Sequence, residues 1–297
     1  LSYFIKRVTE DLFTQTIEQE LTYTRRKLQV HKLKQLKLPE QRSPEWFAMR
    51  KRVLTASSLA AALGKSHYRK PEQLILDKVS TVETPYVTNP ITEWGVKYEE
   101  IATKFYESLY NVTIVEFGMI PHPEFPIFGA SPDGICSETS PPEYIGRMLE
   151  IKCPPKRKFT KSVPTEYMYQ MQGQLECCDL DECDFFQVKL EEYSSYEDYI
   201  KDTNGKQGET ITGLPKGCTI SYYKDESSKL SYLYPELYWT DQHYLDWIQE
   251  QTNQIGVQAI HEIKWWSILR YECTLVKKDV KFWNELMPHI IDFSEKL

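Results

Sequence analysis

The hydrophobic period of this 297-residue chain changes once, and that change bounds the fold. Up to about residue 110, apolar side chains recur every three or four positions. Leu12, Phe13, Ile17 and Leu21 follow this spacing, and Trp94, Tyr98, Ile101, Phe105 and Leu109 repeat it. Such spacing predicts helices over 9–36 and 93–110. Between them, Ser43-Pro44 opens a short helix through Arg52, and Gly64 stops another over 55–63. Past residue 111 come short β-rich runs at 112–120, 127–131, 148–152 and 185–190, bounded by Pro, Gly and Asp. A helix over 164–178 separates the last two. Strands at 219–224 and 265–275 follow. Thr240 caps a helix running towards residue 263, and a final helix over 281–293 is interrupted near Pro288. This order predicts an α+β fold with a central mixed β-sheet flanked by helices.

The longest apolar runs have fewer than ten residues, too few for a membrane-spanning helix. No basic-then-apolar leader opens the sequence, which starts at Leu1. Seven cysteines form no CxxC pair, which suggests free thiols in a reducing, cytoplasmic setting. Cys177, Cys178 and Cys183 cluster, but at no common metal-ligand spacing.

The net charge of -7 argues at first against a nucleic-acid partner. Its distribution reverses that argument. Residues 21–70 hold thirteen Lys or Arg against Glu40 and Glu45, a net of +11. Residues 147–161 carry six basic side chains against Glu150 alone, a net of +5. Nine acids against Lys189 in residues 176–200 offset them. Each basic block reads equally as a solvated face or as a phosphate contact.

Chemistry concentrates in Ser131-Pro132-Asp133-Gly134 and Leu149-Glu150-Ile151-Lys152-Cys153. On a strand, Glu150 and Lys152 share one face while Ile151 and Cys153 take the other. If the runs at 127–131 and 148–152 pair as a hairpin, Asp133 arrives beside Glu150. Two adjacent carboxylates repel and favour a hard divalent cation. A surface hairpin with an ordinary Glu–Lys pair explains the same residues. Glu99, beside the buried stripe of its helix, and the amides of Gln170, Gln172 and Gln174 add weight to the cation reading.

The ordered set Trp46-x-x-x-Arg50, Ser57, Gly95-x-x-x-Glu99-x-x-Ala102, Ser131-Pro132-Asp133-Gly134, Glu150-Ile151-Lys152-Cys153-Pro154 and Gln170-x-Gln172-Gly173-Gln174-Leu175 resembles the lambda-type (YqaJ-like) exonucleases. These belong to the PD-(D/E)XK superfamily, whose core is restriction-endonuclease-like. The resemblance covers about residues 43–190. The terminal extensions look most like the version carried by large cytoplasmic DNA viruses such as African swine fever virus. It implies a nuclease core over 43–200, an N-terminal helical arm over 1–42, and a C-terminal extension over 201–297 that completes the sheet and helical layer of a single integrated domain.

The resemblance also implies roles. Asp133 and Glu150 would bind the catalytic metals, Mg²⁺ or a substituting Mn²⁺, with the Ile151 carbonyl as a backbone ligand and Glu99 as a further carboxylate. Lys152 would orient the attacking water or help to deprotonate it. Arg50, Ser57 and Ser131 would hold a 5′-terminal phosphate, and Gln170 or Gln172 would position the scissile strand or the water. Lys156, Arg157 and Lys158 suit backbone phosphates, since they directly follow the Glu-Ile-Lys strand. Trp46, Tyr68, Phe125 and Phe128 read first as core, and second as a wedge or stacking platform for a separated base.

The expected activity is 5′→3′ digestion of one strand from double-stranded DNA ends, releasing mononucleotides, in viral recombination, repair or genome processing. By analogy, single-strand annealing or replication proteins are partners, and a homo-oligomer is compatible, with no membrane. A structure-directed endonuclease with the same metal site is one rival; a non-catalytic DNA- or protein-binding module is another.

Overall fold

Helix starts follow the capping chemistry of the sequence. In the computed structural model, which describes residues 2–80, 89–159, 162–224 and 230–296 (backbone only for 2–13), helix α1 spans Ser2–Lys34. Helix α2 (Pro44–Arg52) starts where the Ser43 side chain accepts the Trp46 N–H, with Pro44 in the first turn. Strand β1 (Leu54–Thr55), a 3₁₀ turn over Ala56–Ser58 and helix α3 (Leu59–Ala62) follow. The sequence predicts one helix there. Leu54 and Thr55 instead pair in parallel with Phe128 and Gly129, so a long-range ladder displaces the first helical turn. Ser57 therefore opens no extended helix whose dipole could serve an anion.

Helices α4 (Pro71–Val79) and α5 (Pro90–Tyr110) precede four short strands, β2 (Ile114–Val115), β3 (Ile120–Pro121), β4 (Phe128–Ala130) and β5 (Gly134–Cys136). The run at 112–120 thus divides between β2 and β3. Strand β6 (Met148–Lys152), helix α6 (Thr165–Cys178), strand β7 (Glu182–Glu192) and helix α7 (Tyr196–Lys201) come next. Strands β8 (Lys216–Tyr223) and β9 (Leu230–Leu233), helix α8 (Asp241–Ile255), strand β10 (Ile260–Lys277) and helix α9 (Val280–Ser294) end the described chain. Helix α8 stops eight residues short of expectation. Gly256 adopts φ +90°, a left-handed turn that β-carbons disfavour, and after a 3₁₀ turn over Val257–Ala259 strand β10 begins beside β8. Helix α9 runs unbroken through Pro288, because Trp283, Leu286, Ile290 and Phe293 bury one continuous face.

Among the described residues, β1, β4 and β3 form a small sheet, and a seven-stranded sheet has the order β2-β5-β6-β7-β10-β8-β9. Strands β6 and β7 are parallel and the other neighbours in the large sheet are antiparallel, so the sheet is mixed. The hairpin expected between 127–131 and 148–152 does not form: β4 pairs with β1 and β3, and β5 pairs with β6. The outcome for Asp133 is nonetheless similar, because Gly134 opposite Leu149 brings the preceding residue to the level of Glu150.

The large sheet has apolar cover on both faces. Met148 and Phe185 join a core with α1, α3, α6 and α9, while Leu149, Ile151 and Phe186 join another with α5. Glu150 shares the α6 side by alternation. Helix α6 sits close to the small sheet because Gly173 has no β-carbon; one built there would meet Phe128 Cζ at 2.9 Å and Ala56 Cβ at 3.2 Å. Helix α1 docks by its C-terminal half, through buried Val30 and Leu33 and through Arg26, which pairs with Asp181 at 3.1 Å and Glu182 at 3.0 Å. Its expected stripe does not bury: Ile17 and Leu21 are exposed, and the side chains of Leu12 and Phe13 lie outside the described residues.

Candidate active site

Glu150 is the hub. It is fully buried on β6, an interior strand, so its charge survives only with donors around it. Helix α6 supplies two of them. Gln170 donates to Oε1 and Gln174, one turn on, donates to Oε2, both at 2.8 Å. Lys152, two residues along the same strand face, makes a short contact with Oε1. Burial works to lower the Lys152 ammonium, but Glu150 and Asp133 outweigh it and hold the group above its ordinary range.

Asp133 sits across the β5–β6 pair. Its Oδ2 accepts the Ile151 N–H at 2.6 Å. Enclosure, then the negative charges of Glu150 and Glu99, push this carboxyl well above the usual carboxylate range. Glu99 approaches from α5, and enclosure raises it too, against the pull of Arg42 and Lys152. Arg42 pairs with Glu99 Oε1 at 2.9 Å.

Asp133, Glu99, Gln170 and Gln174 line a cavity of about 190 Å³ together with basic and hydroxylic side chains. The Arg50 guanidinium carbon lies over Trp46, 4.4 Å from the ring centroid, and the group donates to Ser57 Oγ at 3.0 Å. Burial lowers this guanidinium's pKa. Trp46 in turn donates its indole N–H to Ser131 Oγ at 3.0 Å. Arg50, Ser57 and Ser131 thus line the same cavity as Glu99 and Asp133.

Not every expected residue converges. Gln172 points away from Glu150: it donates to the Lys277 carbonyl at 2.8 Å and accepts the Asp279 N–H at 2.7 Å, tying α6 to the β10–α9 junction. Position 172 lies between Gln170 and Gln174, and a helix turns about 200° over two residues, so it cannot share their face. Lys156 and Lys158 are exposed, whereas Arg157 is half-buried and donates to Gln187 at 2.8 Å. Ile151 packs into the α5-side core. Among the other flagged aromatics, Phe128 is buried and Tyr68 is 80% exposed. Cys177, Cys178 and Cys183 are buried in the α6-side core.

Gln174 belongs to the amide set that the sequence singles out, and its spacing from Gln170 marks the face they share. Arg42 lies outside every motif, and nothing in its neighbourhood announces a partner on α5.

The donor set suits a hard cation. Asp133 and Glu150 are neighbouring carboxylates whose mutual repulsion a positive ion would relieve. Beside them, Gln174 Oε1 is buried with no hydrogen-bond partner, an acceptor left open at this spot. Among the described residues no three His, Cys, Asp or Glu side chains close into a metal cage, and Glu99 is taken up by Arg42.

Residues 45–181 match the family described as the YqaJ-like viral recombinase domain. Over 95% of its length the chain is 32% identical to protein R354 of Acanthamoeba polyphaga mimivirus, covering 56% of that protein. It is 28% identical to protein D345L of African swine fever virus over 161 residues, 46% of each. The chain therefore spans about half the length of the curated relatives it matches. Among solved structures, an alkaline exonuclease from Laribacter hongkongensis aligns with 86% of this chain and 92% of its own, at 21% identity and a TM-score of 0.49. No helix among the described residues is long and apolar enough to cross a membrane.

Proposed function

We propose, from the premise that this chain carries a YqaJ-like viral recombinase domain of the lambda-type exonuclease kind, that it is a metal-dependent deoxyribonuclease acting on the ends of double-stranded DNA. It digests one strand 5′→3′ from a phosphorylated end and releases mononucleotides. One observation carries the reading: the buried Glu150, tied to Gln170, Gln174 and Lys152, lies directly behind a cavity that Asp133, Gln170 and Gln174 line together with Arg50, Ser57 and Ser131.

Asp133 and Glu150 would hold Mg²⁺, with Mn²⁺ as a substitute, Glu99 as a further carboxylate and the Ile151 carbonyl as a backbone ligand. The bound ion supplies charge to offset that developing on the scissile phosphate and lowers the pKa of water. Every other part falls to the chain. Arg50 grips the terminal phosphate, supported by its contact with the Trp46 ring, while the Ser57 and Ser131 hydroxyls complete the cradle. Lys152 orients the attacking water. Gln170 and Gln174 fix the Glu150 carboxylate by one oxygen each. Arg157, with one buried guanidinium nitrogen unpartnered, contacts backbone phosphate, as do Lys156 and Lys158. The helical arm, the core over 43–200 and the extension over 201–297 act as one domain, since β8 and β10 continue the sheet that holds Glu150. Its work belongs to viral DNA recombination, repair or genome processing in the host cytoplasm, alongside single-strand annealing or replication proteins.

The test compares linear duplexes bearing 5′-phosphate or 5′-hydroxyl ends with a covalently closed circle, each in Mg²⁺ or EDTA. Degradation of the phosphorylated linear duplex in Mg²⁺ alone supports the reading. Cutting of the closed circle overturns end dependence, and cleavage that persists in EDTA overturns the metal requirement.

A further inference from the structure

Arg42 stands in a costly conformation. Its φ is +66°, in the left-handed region that a side chain disfavours by roughly 1–2 kcal/mol. The Ser43 N–H closes a turn onto the Glu40 carbonyl at 3.1 Å, and Arg42 fills the third position, where glycine or asparagine is usual. Both neighbours are anchored. The Gln41 amide donates to the carbonyls of Phe117 at 2.8 Å and Pro132 at 3.1 Å, the latter one residue before Asp133. Ser43 caps α2. The turn is therefore held where it is, and what the arginine adds over a glycine is a guanidinium in the cavity, on Glu99.

That position is shared between two claims. Glu99 is close enough to feel the charges of Glu150 and Asp133, while Arg42 lines the same cavity as Arg50 and Ser57. An arginine fixed on Glu99 both masks that carboxylate and repels a cation. The same guanidinium, once released, is a bidentate phosphate donor in the cavity that Arg50 and Ser57 also line.

We infer that Arg42 is an exchangeable counter-ion: it neutralises Glu99 in the empty cavity and transfers to the DNA phosphate when a divalent ion takes the carboxylate. The inference rests on the nuclease reading and adds to it a coupling between ion and DNA binding. Because the coupling is thermodynamic, it is reciprocal: ion strengthens the grip on DNA, and DNA strengthens the grip on ion. Arg42 is in this sense a substrate-positioning residue that a metal site switches on.

Arg42→Gly is the informative variant, since it removes the guanidinium and relieves the backbone together. Mn²⁺ binding to the free protein is measured by electron paramagnetic resonance. Binding of a 5′-phosphorylated duplex is measured by fluorescence anisotropy in Ca²⁺ and in EDTA. The variant is expected to bind Mn²⁺ several-fold tighter and to keep its melting temperature. It is also expected to lose about tenfold of the Ca²⁺-dependent gain in duplex affinity, the scale of one charge-assisted contact. Arg42→Lys, which keeps the charge, should retain part of that gain. A lower melting temperature with unchanged Mn²⁺ affinity and an unchanged Ca²⁺ gain would make Arg42 a structural brace and overturn the exchange alone. Wild-type protein that binds neither Mn²⁺ nor duplex overturns the nuclease reading, and the exchange with it.

Discussion

Gln174 donates to Glu150 Oε2 at 2.8 Å while its own carbonyl oxygen is buried without a partner. The amide is therefore aimed by the carboxylate it serves, which leaves its oxygen as an open acceptor beside Glu150. Gln174→Ala leaves a buried carboxylate oxygen short of a donor, which costs about 1–3 kcal/mol. Denaturant unfolding in EDTA should show that loss. Turnover should fall at least tenfold in parallel, as the carboxylate loses its fixed aim. Unchanged turnover would remove Gln174 from the site.

Gln172 makes the opposite prediction. Its two hydrogen bonds run to Lys277 and Asp279, far along the chain from the carboxylates. Gln172→Ala should lower stability by about 1–3 kcal/mol, for two backbone groups left unpaired, with kcat within twofold of wild type. A large fall in kcat at unchanged stability would restore a role in chemistry to this position.

The sign of the Asp133 shift gives a pH test. Its carboxyl is raised in the folded chain by enclosure and by Glu150 and Glu99. A raised acid gives a contribution to stability that is complete below its unfolded value, about 3.9, and is lost as pH climbs through the folded value. In EDTA, Asp133→Asn should therefore melt higher than wild type, and the gap should widen as pH rises above about 4. Excess Mg²⁺ should narrow the gap by stabilising only the wild type, while the variant stays inactive. A gap that shrinks with rising pH would contradict the shift.

In the proposed cradle, Arg50 would act by geometry as much as by charge. Its guanidinium sits over the Trp46 ring and donates to Ser57. Arg50→Lys keeps the charge but loses the flat, forked group, so the rate preference for a 5′-phosphate over a 5′-hydroxyl end should drop about tenfold or more. Arg50→Ala should lower it further. An unchanged ratio in both variants would sink the cradle.

Much of this site is readable before folding, because its parts are local. Glu150 and Lys152 share a face through strand alternation, Ser43-Pro44 sets the start of the helix that carries Trp46 and Arg50, and the spacing of Gln170 and Gln174 fits one helical face. What escapes depends on partners distant in sequence. The three residues of β5 carry no pattern of their own, so Asp133 reaches Glu150 by a pairing the longer run at 127–131 obscured. Thr55 becomes strand only because Gly129 lies beside it. The α1 helix docks through Arg26 onto Asp181 and Glu182 instead of through Ile17 and Leu21, since ion pairs between distant segments leave no period. Arg42 meets Glu99 for the same reason.

The central claim is hydrolysis that starts at a phosphorylated 5′ end and proceeds inward. A blunt duplex labelled at its 5′ phosphate in one preparation and at its 3′ end in another tests this most directly, with products of the first turnovers resolved by length in Mg²⁺. The account predicts that the 5′ label appears at once as a mononucleotide while the 3′ label stays in long fragments that shorten slowly. Release of the 3′ label first, or internal fragments carrying either label from the outset, would contradict it.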